Sequence, residues 1–214
     1  MPLFYQQDIN ETTKLGVWKI EEPEDFFMKA VPLQRSITHP HKRLQHLAGR
    51  YLLPYLFPDF PNHEIEIADT RKPFLPDEKY HFSISHCGDY AAAIVSSKER
   101  VGIDIEIITP RVERIKYKFL HADELAFVHS HETHEQINLL TLLWSTKEAM
   151  FKWWGRGDVD FSEVMLTGQF VFAETGIIPA RFMKGTVDVQ LKVYYQLNDG
   201  LSLAWVHGGA VPGV

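Results

Sequence analysis

The sequence predicts an α+β fold with helices and an antiparallel sheet in each of two halves, divided near residue 108. In the first half, residues 81–86 and 90–96 are typical of two strands around a Cys-Gly-Asp turn. In the second half, residues 187–197 alternate apolar and polar side chains, and an Asn-Asp-Gly turn leads into a returning strand at residues 201–206. Helical patterns accompany both hairpins, so we expect packed helices on each sheet.

The first half, residues 1–108, contains one long helical pattern. Residues 40–57 carry leucines on one side and cations on the other, and Pro54 ends or kinks this helix. Short strands are predicted at residues 14–20 and 65–67. A last strand, at residues 101–108, closes this half.

The second half, residues 109–214, begins with helical patterns at residues 111–119 and 122–128. The strongest helical pattern of the chain follows at residues 136–154, and Gly155 is a typical stop signal. The apolar side of this helix consists of Leu139, Leu142, Leu143, Met150 and Trp153.

Composition limits the class of protein. The 214 residues are 45% hydrophobic and 23% charged, which is enough apolar material for one large domain or two small ones. A net charge of −6 excludes a global attraction to nucleic acid or to acidic membranes, although it allows a local basic pocket. A single cysteine, Cys87, excludes an intramolecular disulfide. Since the sequence shows neither a signal peptide nor a membrane-spanning stretch, we expect a cytoplasmic protein.

The strand at residues 101–108 carries the first candidate site. Four aliphatic side chains share one face, and Asp104 and Glu106 share the other. Two carboxylates two residues apart repel each other unless a cation or a proton lies between them, or unless both are solvated at the surface. Gly102, just before them, indicates a close approach of another backbone or of a ligand.

The helix at residues 136–154 carries the second candidate site. Glu148 and Lys152 are i,i+4 neighbours, which alone would be an ordinary surface ion pair. Together with Asp104 and Glu106, they could converge on one hard divalent ion and one phosphate-bearing ligand. We expect that site at the interface between the halves, where pockets are common.

Three further segments offer groups for anions. Ser85 and His86 end a strand, where a hydroxyl and an imidazole can bind phosphate or simply form a polar turn. No Gly-x-Ser-x-Gly elbow supports a hydrolase. Two basic clusters, at residues 71–72 and at residues 42, 43 and 50, could complement a multiply charged anion or be solvated surface.

Other reactive residue types give weaker signals. His129, His131 and His134 do not share a helix face, and a solvated loop is favoured over a zinc site. Cys87 has no clear activating partner beyond His86, so a nucleophilic role is disfavoured.

Together, the segments resemble the motifs of Sfp-type 4′-phosphopantetheinyl transferases. The similar segments are Arg71-Lys72-Pro73 (Gly-Lys-Pro in the family), Phe82-Ser83-Ile84-Ser85-His86, Gly102-Ile103-Asp104-Ile105-Glu106, and Trp144-Ser145-Thr146-Lys147-Glu148-Ala149-Met150-Phe151-Lys152. Glu106 and Glu148 lie 42 residues apart, in keeping with the family. The resemblance covers about residues 40–160, and Arg71 in place of glycine is its main departure.

This resemblance implies a monomer of two similar α/β halves related by pseudo-twofold symmetry. It implies transfer of the phosphopantetheine arm of coenzyme A to a serine of an acyl- or peptidyl-carrier protein, with release of adenosine 3′,5′-bisphosphate. The implied cofactor is Mg²⁺, with Mn²⁺ as a substitute. The implied roles are metal binding by Asp104, Glu106 and Glu148, catalysis by Glu148 and Lys152, and coenzyme A binding by Lys72, Ser85, His86, Lys152, Arg71, Arg43 and Arg50.

A basic stretch is the predicted docking surface for the carrier protein. Residues 111–128 follow the acidic strand, with Arg111 and Arg114 as charges and Phe119 and Leu120 as apolar anchors. The alternative is an ordinary amphipathic helix. Two other functions stay open at this point: an Mg²⁺-dependent nucleotide phosphohydrolase, and a non-enzymatic coenzyme A-binding protein.

Overall fold

The chain folds into two compact units, Met1–Val101 and Gly102–Val214. The structure is a computed structural model that describes residues 3–31 and 36–209. Each unit contains an antiparallel arrangement of strands with helices, which confirms the predicted α+β class. The predicted pseudo-twofold relation between the halves stays a prediction.

The first unit is built on a four-stranded sheet of order β1-β2-β6-β5, with neighbouring strands antiparallel. A short ribbon of β3 and β4 accompanies it. The strands are β1 (Leu3–Asn10), β2 (Thr13–Lys19), β3 (Glu66–Ile67), β4 (Pro73–Phe74), β5 (His81–Cys87) and β6 (Tyr90–Ser96). The predicted hairpin of β5 and β6 is confirmed, whereas β1 was not predicted.

Two α-helices belong to this unit, α1 (Glu24–Met28) and α2 (Pro40–Leu56), together with a 3₁₀ turn at Asn62–Glu64. The leucines of α2 pack on the sheet, as predicted. Pro54 lies inside α2 without ending it. A proline at this position removes the donor to the carbonyl of Arg50, and the Asn62 side chain donates to that oxygen instead, at 3.1 Å.

The second unit contains a five-stranded sheet of order β7-β11-β10-β9-β8. The strands are β7 (Val101–Ile107), β8 (Met165–Thr167), β9 (Thr175–Lys184), β10 (Val187–Asn198) and β11 (Leu201–His207). The acidic strand β7 is therefore not the last strand of the first half, as the sequence analysis expected. It lies next to β11 in the second sheet, and the two units divide after Val101 rather than near residue 108.

Helices α3 (Ala122–His129), α4 (Thr133–Trp154) and α5 (Phe161–Val164) complete the second unit. Helix α4 ends at Gly155, whose φ of +73° gives the predicted left-handed stop. The predicted helix at residues 111–119 is a 3₁₀ helix, Pro110–Lys118. Within the described ranges, no helix is both long and apolar enough to cross a membrane.

Candidate active site

Strand β7 fixes two of the predicted carboxylates in different environments. Asp104 is buried, with 3% of its surface exposed, and Glu106 is half-buried. Ile103 and Ile105 are fully buried on the other face, as the alternation predicts. The acidic face of β7 is therefore also covered at Asp104, so this carboxylate is not one of two solvated acids at the surface.

Helix α4 is what covers this face. The Nζ atom of Lys152 lies 2.7 Å from Oδ1 of Asp104, with the Lys152 side chain 24% exposed. The sequence left an ordinary Glu148–Lys152 pair within the helix open, and in the structure the lysine bonds across to the strand. Because Asp104 is buried, its carboxylate gains more from a charged partner than a solvated carboxylate would.

Gly102 makes this close packing achievable. A Cβ atom at this position would lie 2.0 Å from the carbonyl oxygen of Ala149 and 2.7 Å from the backbone nitrogen of Trp153. The predicted close approach of another backbone is therefore confirmed, and that backbone belongs to α4. Only glycine allows the helix to lie this near to β7.

Glu148 is the most perturbed acid of the site. Burial, together with the neighbouring carboxylates of Asp104 and Glu106, raises its pKa to about 7, although Lys152 opposes the shift. The three acidic groups thus lie within electrostatic reach of one another. Bringing a cation between them would favour the ionised form of Glu148, because an opposite charge lowers the pKa of a carboxyl group.

The donor set fits a hard divalent cation such as Mg²⁺, which prefers carboxylate oxygens and water. In the structure, protein groups engage two of these acids: Lys152 bonds to Asp104, and the indole Nε1 of Trp144 donates to Oε1 of Glu106 at 3.2 Å. Across residues 3–31 and 36–209, no three His, Cys, Asp or Glu side chains form a group that could hold a metal ion. Binding a cation here would therefore require these side chains to exchange partners.

Trp144 is a site residue whose role the sequence analysis missed. Its ring stacks on Phe161, with centroids 5.8 Å apart, and meets Phe119 edge-on at 5.2 Å. These contacts hold the indole where it donates to Glu106. A signal existed in the sequence, since Trp144 lies four residues before Glu148 and therefore on the same helix face.

The first unit contains a separate pocket of about 380 Å³ with cationic and apolar walls. It brings together Arg50, Arg71 and His86 of the predicted anion-binding residues. The full lining is His46, Arg50, Ile67, Arg71, Pro73, Ile84 and His86. Arg50 was predicted on the solvated side of α2, yet it is only 6% exposed. A pocket with these walls suits an anionic ligand that also has a flat apolar part.

The other predicted anion-binding residues lie outside this lining. The guanidinium of Arg43 donates to Glu24 Oε1 at 2.7 Å and to the carbonyl of Ile37 at 2.9 Å. Ser85 is buried and alternates with Ile84 and His86, so it belongs to the opposite face of β5. Burial lowers the pKa of Lys72 to about 8, and the charge of Arg100 contributes.

Arg71 has an unusual backbone, with a φ of +65°. This left-handed region favours glycine, the residue that the resembling family has at this position. The left-handed backbone at this position is a physical reason for a glycine in that motif. Arg71 keeps the turn and adds a cation to the lining of the pocket.

The predicted docking segment needs one correction. Arg111 and Arg114 are exposed, but Phe119 and Leu120 are 0% and 4% exposed and pack in the core of the second unit. They cannot serve as surface anchors, because they line the apolar contact between the 3₁₀ helix, α3 and α4. The exposed large side chain of this segment is Tyr117, at 72%.

Three histidines of the second unit lie at the junction of α3 and α4. His129 ends α3, His134 is in the first turn of α4, and the Nδ1 atom of His131 lies 2.9 Å from the carbonyl oxygen of Phe127.

Comparison with known proteins agrees with this geometry. The model of the 4′-phosphopantetheinyl transferase superfamily matches residues 100–206, which include β7 and α4. The chain is 32% identical over 123 residues to the 4′-phosphopantetheinyl transferase AcpT of Escherichia coli O157:H7, covering 56% of this chain and 62% of that protein. It is 33% identical over 113 residues to the transferase gsp of Aneurinibacillus migulanus, covering 52% and 46%.

A third relative, the 4′-phosphopantetheinyl transferase of Bacillus subtilis, is 36% identical over 92 residues, covering 42% of this chain and 41% of that protein. The chain thus spans less than two thirds of the length of each of these relatives. The matched region of the family model nevertheless contains Asp104, Glu106, Glu148 and Lys152. The chain therefore belongs to the 4′-phosphopantetheinyl transferase superfamily.

Proposed function

We propose that this protein transfers the 4′-phosphopantetheine arm of coenzyme A to a serine hydroxyl of an acyl- or peptidyl-carrier protein. The observation that carries the proposal is the convergence of Glu148 and Lys152 of α4 on Asp104 and Glu106 of β7. The oxygen donors would hold Mg²⁺ or Mn²⁺. When bound, the ion would supply positive charge to the pyrophosphate as negative charge develops there.

Glu148 is the proposed general base. A base works best when its pKa is near the working pH, and burial raises the pKa of Glu148 to about 7. It would take the proton of the carrier serine as the serine oxygen forms its bond to phosphorus. A cation beside Glu148 lowers this pKa, so metal binding and proton transfer compete at the same carboxylate.

Lys152 is the proposed partner of the leaving group. The bond between phosphorus and the bridging oxygen of the pyrophosphate breaks, and the electron pair leaves with adenosine 3′,5′-bisphosphate. An ammonium group has three donors, so Lys152 can keep its bond to Asp104 and still donate to a phosphate oxygen. This interaction strengthens as charge develops on the leaving oxygen.

The first unit is proposed to bind the nucleotide part of coenzyme A. Arg50, Arg71 and His86 surround one pocket and can neutralise phosphate groups, while Ile67 and Ile84 offer an apolar wall to a base. Lys72, with a pKa lowered to about 8, would regain its full charge next to a phosphate. Arg43 is the weakest of these candidates, because Glu24 already neutralises it.

Carrier docking is proposed at the exposed side of residues 111–128. Arg111 and Arg114 offer positive charge to an acidic helix, and Tyr117 replaces the buried Phe119 and Leu120 as the apolar contact. We further propose that the enzyme acts as a cytoplasmic monomer.

The decisive experiment is intact-mass spectrometry of an apo carrier protein incubated with this protein, coenzyme A and Mg²⁺. A gain of about 340 Da on the carrier, lost with EDTA, supports the transfer of phosphopantetheine. Glu148→Gln should abolish the gain. Glu135→Gln is the matched control, because it makes the same change on the same helix about 20 Å away.

The two other functions give different results in the same assay. Release of adenosine 3′,5′-bisphosphate without any carrier protein indicates a phosphohydrolase. Tight binding of coenzyme A with neither a mass gain nor bisphosphate release indicates a binding protein. Either outcome contradicts the proposed transfer.

A further inference from the structure

Helix α4 contains a fully buried lysine that the proposed chemistry does not use. Lys147, the residue before Glu148, is 0% exposed. Its Nζ atom lies 2.5 Å from Oε2 of Glu124, which is 4% exposed, and 3.0 Å from the carbonyl oxygen of Phe161. A lysine is almost never fully buried unless it is paired, so this ion pair calls for an explanation.

Glu124 connects four parts of the second unit. Its Oε2 atom also accepts from the backbone nitrogen of His121, which closes the capping box of α3. Its Oε1 atom accepts from both the backbone nitrogen and the hydroxyl of Thr167, each at 2.7 Å. The start of α3, helix α4, the first residue of α5 and the end of β8 are therefore joined through one carboxylate and one ammonium group.

A buried ion pair is not by itself a good source of stability. Removing two charges from water costs several kcal/mol, and apolar residues of similar volume often stabilise a fold as well or better. What such a pair supplies is geometry, since two charged groups with hydrogen-bonding partners are satisfied in few arrangements. Both bonds of Lys147, to Glu124 and to the carbonyl of Phe161, are directional, so sliding or rotating α4 would break the two together.

We propose that the Glu124–Lys147 pair is a positioning device that fixes the rotation of α4 and thereby aims Glu148 and Trp144 at β7. Gly102 sets the distance between helix and strand, and the buried pair sets the angle. This inference rests on the proposed transfer for its kinetic consequence, but its structural consequence is independent of it.

Helix geometry gives the size of the effect. Adjacent residues are about 100° apart around an α-helix, so Lys147 and Glu148 point to different neighbours and a rotation that frees one moves the other. A rotation of about 10° moves an atom roughly 6 Å from the axis by about 1 Å. A misplacement of about 1 Å can cost on the order of 100-fold in rate.

The test uses the double substitution Glu124→Gln/Lys147→Met, which removes both charges and keeps similar volume. Each single variant leaves a buried charge or donor without its partner and should lower the melting temperature by roughly 10 °C. The double variant should recover only part of that loss, because a glutamine amide accepts at one oxygen, whereas the Glu124 carboxylate accepts at both. The matched control is Arg181→Met/Asp188→Asn, because this pair bridges β9 and β10 in the same unit at the surface.

The first readout is the indole N–H resonance of Trp144 in ¹⁵N-labelled protein, assigned by its absence in Trp144→Phe. Because this group donates to Glu106 in the wild-type protein, the double variant should shift the resonance and speed its exchange with water. The surface control should leave it unchanged. An unchanged resonance in the double variant would overturn the positioning role.

The second readout is the kinetics of carrier modification. The double variant should lose on the order of 100-fold in kcat, with KM for coenzyme A nearly unchanged. Recovery of both melting temperature and kcat would show that the pair serves stability alone. If the wild-type protein itself transfers nothing, the proposed function fails, and the resonance still decides whether the pair positions α4.

Discussion

Gly102→Ala tests whether the close packing of α4 on β7 creates the site. The added methyl carbon would lie 2.0 Å from the carbonyl oxygen of Ala149. Ordinary contact is about 3.5 Å, so strand and helix must separate by about 1.5 Å at this point. The two nearest opposing atoms belong to the backbone of α4, and the third is the Cβ atom of Trp153, so no flexible end of a side chain can give way instead.

The separation reaches the site directly. The bond between Lys152 and Asp104 is 2.7 Å long, and a parallel displacement would lengthen it to about 4 Å, beyond hydrogen-bonding distance. Glu148 would move with the same helix. We expect overpacking to lower the free energy of unfolding by about 3 kcal/mol, the upper part of the usual range. The value of kcat should fall on the order of 100-fold in the folded protein.

Denaturant unfolding and timed intact-mass spectrometry of the carrier protein measure the two effects. Gly168→Ala is the matched control in the same unit, since the nearest atom to its methyl group would be Cγ of the Pro179 side chain, at 3.2 Å, and the nearest backbone atom would lie 3.5 Å away. The control should retain the wild-type kcat. If Gly102→Ala keeps both wild-type stability and wild-type kcat, the packing of α4 does not determine the geometry of the site.

Three further predictions concern the other candidate residues. Since burial lowers the pKa of Lys72 to about 8 and a bound phosphate raises it again, coenzyme A binding should take up protons near pH 8 and weaken as the pH rises above 8. Calorimetry in two buffers measures this uptake, which Lys72→Met should remove. Arg71→Gly should raise the free energy of unfolding by about 0.5 kcal/mol, because it relieves a φ of +65°. The same substitution should weaken coenzyme A binding, and an unchanged affinity for coenzyme A would exclude Arg71 from the site. Phe119→Ala should lower the free energy of unfolding by about 3–5 kcal/mol, because this side chain lies in the core. Reversing the charges of Arg111 and Arg114 should raise KM for the carrier protein with little change in kcat. An unchanged KM would reject this docking site.

The sequence predicted the elements whose signals are local. Helix α4 and the hairpin of β10 and β11 were found because their apolar periods and turn residues lie within one short segment. Strand β9 was missed because Gly176 and Pro179 interrupt an otherwise regular alternation, and proline argues against a strand interior. Strand β7 was recognised as a strand but assigned to the wrong half, because its neighbour β11 begins about 100 residues later and alternation does not identify a partner.

The candidate site divides in the same way. The grouping of Asp104 and Glu106 with Glu148 was predictable because two carboxylates two residues apart on a strand repel each other unless a cation or a proton lies between them, and their roles stay a prediction. The pairing of Lys152 with Asp104 was not predictable, because the i,i+4 rule describes an isolated helix and does not identify a buried partner on another element.

Phe119 and Leu120 were predicted as surface anchors, but they are buried. An apolar pair beside four cations fits a docking surface and a core boundary equally well in sequence, and only burial separates the two.

Helix α4 shows why candidate catalytic residues are easier to recognise in a sequence than the buried residues that position them. Glu148 and Lys152 stand out because their groups are proposed to take part in the reaction, whereas Lys147 looks like another surface cation of the same helix. Its burial depends on Glu124, Phe161 and Thr167, which come from three other segments. Substitutions of such supporting residues should therefore reduce activity even though no residue with a proposed chemical role is itself substituted.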